Sequence, residues 1–288
     1  MTNILITGAK GNVGLEVIKA LQNVTQDFTI FAGLKNVEEA KNSFGQMNVS
    51  LVKFDFTDSS THAALKNCDI LFLLRPPQIA EVDTYFKPLI ENAKENGVKH
   101  IVFLSVQGAD KNKVIPHAKI EKLIVDSNIP YTFLRPAYFM QNFTTTLRDD
   151  LIEKKQIFLP AGNAKFTLID VADIGKVAAA VLTNSAQHAN QAYDLTNDET
   201  LTFSEMAAKL SNGLGIKIDY ISPNLLRFYW QKRKENLPTI FILVMIMLHY
   251  LPRFQKAPTT SNWVKKITKK EATTFDEFVQ NNKNLLQK

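Results

Sequence analysis

The sequence of 288 residues holds a single cysteine, Cys68. One thiol excludes an intrachain disulfide framework and fits a reducing, cytoplasmic setting. The five histidines are scattered, with neither His-x-His nor paired-cysteine spacing, so no metal site is expected. The apolar run 240–248 is nine residues long. A membrane span needs about twenty, so a buried helix or an oligomer contact is the expected reading, and no membrane partner is expected. No basic stretch precedes the first apolar run, so no signal peptide is expected. The sequon Asn142-Phe143-Thr144 is then expected to stay unmodified. No internal repeat or low-complexity segment stands out.

At 45% hydrophobic and 22% charged residues, the composition is that of an ordinary globular protein. The length suits one large domain, or a domain with a smaller lobe. The net charge of +6 can attract nucleic acid, a membrane surface or a phosphorylated cofactor, and charge alone does not choose among them.

Residues 4–21 read ILITGAKGNVGLEVIKAL. Ile4-Leu5-Ile6 suits a strand buried on both faces of a parallel sheet. Val13, Val17, Ile18 and Leu21 fall on one face of a following helix. Between them Gly8, Gly11 and Gly14 stand three apart. Glycine is needed where φ is positive or where a ligand approaches the backbone. The helix start offers unpaired N–H groups and the positive end of its dipole to an anion. A dinucleotide pyrophosphate is the expected guest, although the spacing differs from Gly-x-Gly-x-x-Gly.

The rest of the first half alternates apolar strands with helical stretches in the rhythm of a doubly wound parallel sheet. Strands are expected at 28–32, 49–54, 70–74, 100–104 and 131–134, with helices near 36–44, 59–66, 79–96 and 117–127. Asn96-Gly97 reads as a helix C-cap. After about residue 155 the pattern loosens. Strands are expected at 166–169, 192–195 and 216–221, and helices at 172–182 and 203–211. The reading is an α/β fold with a nucleotide-binding domain over 1–155. A smaller mixed α/β lobe over 156–288 follows, with parts of 166–182 returning to the first domain.

NAD-binding sheets usually end the second strand with an acid that accepts from the ribose hydroxyls. Here that region reads FAGLKN, and the first acid is Glu38. Lys35 instead offers a cation where a 2′-phosphate would lie, and Lys10 can reach the same group. NADP is therefore expected over NAD.

These stretches resemble the NmrA-like family of atypical short-chain dehydrogenase/reductases. The resemblance rests on TGAKGNVG, LKNVEEAK, VKFDFTD, LFLLRPP, HIVFLSVQGA, PHAKIEKLI and IPYTFLRPAYFMQNF, in that order. It implies a Rossmann fold that binds NADP, with NADPH preferred over NADH. It also implies roles for individual positions. Gly8, Lys10, Gly11, Asn12 and Val13 would line the pyrophosphate, and Lys35 the 2′-phosphate. Asp55 and Phe56 would flank the adenine. Leu74, Arg75 and Pro76 would pass beside the nicotinamide ribose. Pro136, Ala137, Tyr138 and Phe139 would close over the nicotinamide.

Most short-chain dehydrogenases carry Tyr-x-x-x-Lys on the helix after the fifth strand. Here that helix reads PHAKIEK, with His117 and Glu121 at the paired positions. At i, i+4 they share a face. His117 is expected to donate a proton, with Glu121 orienting it and raising its pKa. Lys119 lies about 200° round the helix from His117 and faces elsewhere. Tyr138 is a second donor candidate. Phe139, Met140, Phe143, Phe228, Tyr229 and Trp230 could wall a flat apolar pocket.

The family divides between reductases and non-catalytic NADP-binding sensors that contact a regulatory protein. Reduction of a small apolar electrophile, a quinone first, is the expected activity, because hydride transfer asks little of the protein beyond positioning and a dry pocket. The sensor is the alternative. The string 227–234, RFYWQKRK, with Lys265, Lys266, Lys269 and Lys270, mixes aromatics and cations as single-strand binders do. A helix with one apolar and one basic face gives the same string, so no nucleic-acid partner is expected.

Overall fold

The computed structural model describes residues 2–287. Short runs rich in Ile, Leu, Val and Phe form the strands of the main sheet. These are β1 (Thr2–Ile6), β2 (Phe28–Leu34), β3 (Ser50–Lys53), β4 (Ile70–Leu74), β5 (His100–Leu104) and β6 (Tyr131–Pro136). Three short strands follow, β7 (Tyr138–Phe139), β8 (Gln156–Phe158) and β9 (Lys165–Ile169). The last are β10 (Gln191–Leu195), β11 (Thr200–Thr202) and β12 (Asp219–Ile221).

The main sheet has the order β10-β6-β5-β4-β1-β2-β3, and every pairing in it is parallel. Parallel strands need crossovers, and the helices Asn12–Gln22, Val82–Glu95, Pro116–Ser127 and Val171–Thr183 supply them. Helices on both faces bury β4 and β5 almost completely, which is why these strands are continuous apolar runs. The strand order reverses between β1 and β4. In open α/β sheets, the crevice beyond the strand ends at that reversal takes the ligand.

The chain divides into two compact units. One comprises Met1–Pro136, Val171–Leu195 and Trp263–Lys270; the other comprises Ala137–Asp170, Thr196–Asn262 and Glu271–Lys288. The seventh strand of the main sheet, β10, thus comes from beyond the point where the sequence pattern loosens. The helix Val171–Thr183 packs on the first helix. Gly175 makes this possible: a Cβ there would lie 2.6 Å from the Glu16 carbonyl oxygen.

The second unit carries the sheets β11-β9-β7 and β12-β8. Its core gathers Met140, Phe143, Phe203, Phe228, Phe275 and Phe278, all fully buried. The 240–248 run lies in the helix Thr239–Tyr250, and here the expectation of a buried helix fails. Only Ile242, Met245 and His249 are buried there, while most of its other apolar side chains face outward. Among the described residues no helix is long and apolar enough to cross a membrane.

Candidate functional site: a glycine loop and two polar pairs beyond the strands

The loop after β1 is pinned at the strand reversal by Thr7, which is fully buried. Its hydroxyl donates to the Phe72 carbonyl at 3.1 Å and accepts from the Leu74 amide at 2.9 Å. Gly8 then takes φ +61°, open to glycine at little cost. Gly14 lies so close under the loop that a Cβ would strike the Gly8 carbonyl. Gly11, at φ −73°, starts the Asn12–Gln22 helix with no side chain capping it. Lys10, Gly11 and Asn12 are exposed, Val13 is buried, and the first helical turn carries no acid. The first N–H groups of a helix have no partner within it. Exposed donors, a positive dipole end and no competing carboxylate make a cradle for a phosphate pair.

At the end of β2, Lys35 is exposed, with Nζ 3.1 Å from an Asp55 carboxylate oxygen. Burial pushes the Asp55 carboxyl up, but the Thr57 hydrogen bonds and Lys35 together hold it below its usual range. Its neighbour Phe56 is buried edge-on against Phe54, with ring centroids 5.2 Å apart. Lys35 keeps no acid of its own strand beside it, which suits a 2′-phosphate better than a bare ribose.

At the end of β4, Leu74 lies under Gly8, 3.1 Å from the position of a Cβ there. Arg75 turns back, and its terminal nitrogen donates to the carbonyls of Pro76, Pro77 and Ile79 at 3.1, 3.2 and 2.6 Å. Its Nε donates to Nε2 of His117 at 3.5 Å. The His117 ring, half-buried, also lies over Phe103 at 6.1 Å. Burial, helped by the Arg75 charge, pushes the His117 imidazole down to about 4. The structure therefore corrects the expected His117–Glu121 pair. His117 is neutral near pH 7, and Glu121 is not its partner. The Glu121 carboxylate is buried and takes both nitrogens of the Arg135 fork, at 2.9 and 2.7 Å, and the Ser105 hydroxyl at 2.6 Å. An i, i+4 spacing puts two side chains on one face; it does not decide which neighbour from another strand takes the carboxylate.

Sequence reasoning missed Ser105 and Arg135. The signal was available: Ser105 directly follows β5, and Arg135 breaks the apolar run of β6. A charge inside a central strand needs a partner.

Pro136 ends β6, and Ala137 opens the second unit; both are buried. Tyr138 and Phe139 form β7, half-buried and paired with Leu168 and Ile169 of β9. The Tyr138 hydroxyl lies 3.2 Å from Nε2 of His249, whose Nδ1 lies 2.7 Å from the Met245 carbonyl. With Nδ1–H donating to that carbonyl, Nε2 accepts a hydrogen bond from the Tyr138 hydroxyl. Burial raises the Tyr138 pKa and lowers that of His249 to about 4. The second donor candidate, Tyr138, thus has its hydroxyl hydrogen directed at His249. Met140, Phe143 and Phe228 are core packing of the second unit, while Trp230 is exposed.

The family model of the NmrA-like family matches residues 1–279. The chain belongs to the NmrA-like family. It is 29% identical over 282 residues to an NAD(P)H azoreductase of Xenophilus azovorans, covering 96% of each chain. It is 28% identical over 282 residues to the Prestalk A differentiation protein A of Dictyostelium discoideum, covering 96% of this chain and 91% of that one. Among solved structures it is similar to the NADPH-dependent quinone oxidoreductase QOR2 of Escherichia coli, complexed with NADPH. That match has a TM-score of 0.86 at 25% identity, over 96% of this chain and 99% of the other.

Proposed function

We propose that this NmrA-like protein is an NADPH-dependent reductase of a small apolar electrophile, a quinone first and an azo dye next. The observation that carries the reading is the uncapped helix start behind a glycine loop at the sheet's reversal, with Lys35 rather than an acid at the end of β2. The likeness to an azoreductase and to a quinone oxidoreductase supports it.

Gly8, Lys10, Gly11, Asn12 and Val13 would hold the pyrophosphate, Lys35 the 2′-phosphate, and Asp55 and Phe56 the adenine side. Leu74, Arg75 and Pro76 would border the nicotinamide ribose, with Pro136, Ala137, Tyr138 and Phe139 beyond. A nicotinamide held there would supply a hydride. His117 acts as a neutral donor: Arg75 Nε–H occupies Nε2, which leaves the proton on Nδ1. A neutral N–H can steady an oxygen that gains negative charge, without first carrying a positive one. Arg135 and Ser105 fix Glu121, and with it the helix that bears His117.

The deciding experiment is NADPH oxidation, followed by absorbance, against a panel of benzoquinones, naphthoquinones and azo dyes. Turnover with any of them supports the reductase. Tight NADPH binding with no turnover across the panel overturns it in favour of a sensor.

A further inference from the structure

We propose that the outward face of the Thr239–Tyr250 helix, with the cations at its two ends, docks the second unit onto an anionic lipid surface. Ile240, Leu243, Val244, Met247, Leu248 and Leu251 recur at helical spacing, and each is 39–78% exposed. The opposite side, Ile242, Met245 and His249, is what holds the helix to its unit. Leu226 and Trp230 on the preceding helix and Phe254 just after are 74%, 62% and 72% exposed. Single exposed apolar residues are ordinary; a whole helix face of them marks a contact surface.

Charge names the occupant. Residues 225–256 hold six Lys or Arg and one acid, Glu235. That acid is already bound by Lys154 and Lys232. Arg233 is held at the start of the apolar helix, its guanidinium donating to the Leu237 carbonyl at 2.9 Å, with Lys234 exposed beside it. At the other end Arg253 stacks on Tyr250 at 5.0 Å, and Lys256 follows. Both ends of the helix are therefore basic. A second copy, packed parallel or antiparallel, would set cations against cations. A protein partner would leave its own polar groups facing a surface with few hydrogen-bonding side chains, whereas stable protein interfaces carry about one hydrogen bond per 100–200 Å². Acyl chains need none, and anionic headgroups satisfy the flanking cations. An apolar face with Lys/Arg flanks and a Trp beside it is the pattern of a helix lying in the membrane interface. A helix too short to span a bilayer can still lie on it. This departs from the expectation of no membrane partner, which rested on length.

The test is co-sedimentation of the full chain with vesicles of pure phosphatidylcholine and with vesicles containing one-third phosphatidylglycerol. The chain should pellet with the anionic vesicles only, less so as salt is raised. Arg233→Glu with Lys234→Glu should lower that partition on the order of tenfold or more. Leu243→Glu with Met247→Glu should abolish it, with circular dichroism unchanged. On the unmodified chain, Trp230 emission should shift to the blue with anionic vesicles, which keeps the test independent of any variant's folding. Pelleting with neither vesicle, or equally with both, overturns the proposal. So does a dimer in sedimentation velocity that Leu243→Glu dissolves, because the face then belongs to a second copy.

Discussion

The guanidinium of Arg135 grips both oxygens of the Glu121 carboxylate, at 2.9 and 2.7 Å, and both side chains are largely buried. The hydrogen bonds to Glu121 raise the Arg135 pKa, and Asp110 adds to the field. The fork geometry suits a carboxylate better than a lysine ammonium could. Through this pair, β6 holds the Pro116–Ser127 helix, and the helix holds His117 where Arg75 reaches it.

Removing the cation would leave a buried carboxylate without its strongest partner. Arg135→Leu should therefore destabilise the fold by about 3–5 kcal/mol, the usual cost of breaking a buried pair. Urea unfolding measures it. Arg135→Lys should recover only part, since a single ammonium lacks the planar two-nitrogen fork that meets the two oxygens in parallel. Loss under about 1 kcal/mol in Arg135→Leu would mean that Ser105 alone satisfies Glu121.

Cofactor selectivity should follow Lys35. Lys35→Ala removes one charge-assisted contact, worth about 1.5–3 kcal/mol, from NADPH but not from NADH. The ratio of the two dissociation constants, by fluorescence titration, should fall on the order of tenfold or more. Equal weakening of both dinucleotides would remove the 2′-phosphate from Lys35, and leave that residue to its pair with Asp55.

The main sheet was legible in the sequence because its signals are local and strong. Ile70–Leu74 and His100–Leu104 are short apolar runs between turn signals, and both strands fall where the pattern puts them. Gly97, at φ +74°, ends its helix as Asn96-Gly97 suggests. The pairing of side chains was not legible. His117 and Glu121 share a helix face, but their partners come from β4, β5 and β6, brought near only by the crossovers. The apolar run of the Thr239–Tyr250 helix misled for another reason: hydrophobicity shows which residues gain from leaving water, not whether the chain itself covers them.

The glycine loop separates packing from binding. Gly14→Ala puts a methyl against the Gly8 carbonyl and backbone, so it should lower the melting temperature and weaken both dinucleotides together. Gly11 is exposed at an ordinary φ, and a Cβ there would meet only the Gly8 oxygen, at 3.2 Å. Gly11→Val should therefore fold, with a circular dichroism spectrum like the parent's, yet bind neither NADPH nor NADH. A folded Gly11→Val protein that still binds would reduce the loop to a turn.

His117 offers the sharpest contrast between the spacing in the sequence and the geometry in the fold. A histidine steadied by a carboxylate would titrate above 6.5, and catalysis would fall as the pH rose through that value. Burial and Arg75 instead hold it at about 4. Its folded pKa lies below the ordinary one, so the ring is neutral throughout pH 5–8. The kcat of quinone reduction should then be flat across that window, with no inflection from His117. His117→Ala should still lower kcat, by roughly 10²–10³-fold, the worth of one donor to a developing oxyanion. Dinucleotide affinity should stay near the parent's. Arg75→Met removes the neighbouring charge but not the burial, so the His117 pKa should rise from about 4 while staying below 6.5. NMR titration of the imidazole Cε1–H resonance measures that shift directly. An inflection near 6.5 in the parent's kcat profile that vanishes in His117→Ala would restore the charged acid. Water supplies the proton that completes the reduction in either case, so unchanged kcat in His117→Ala would mean that water also steadies the developing oxyanion.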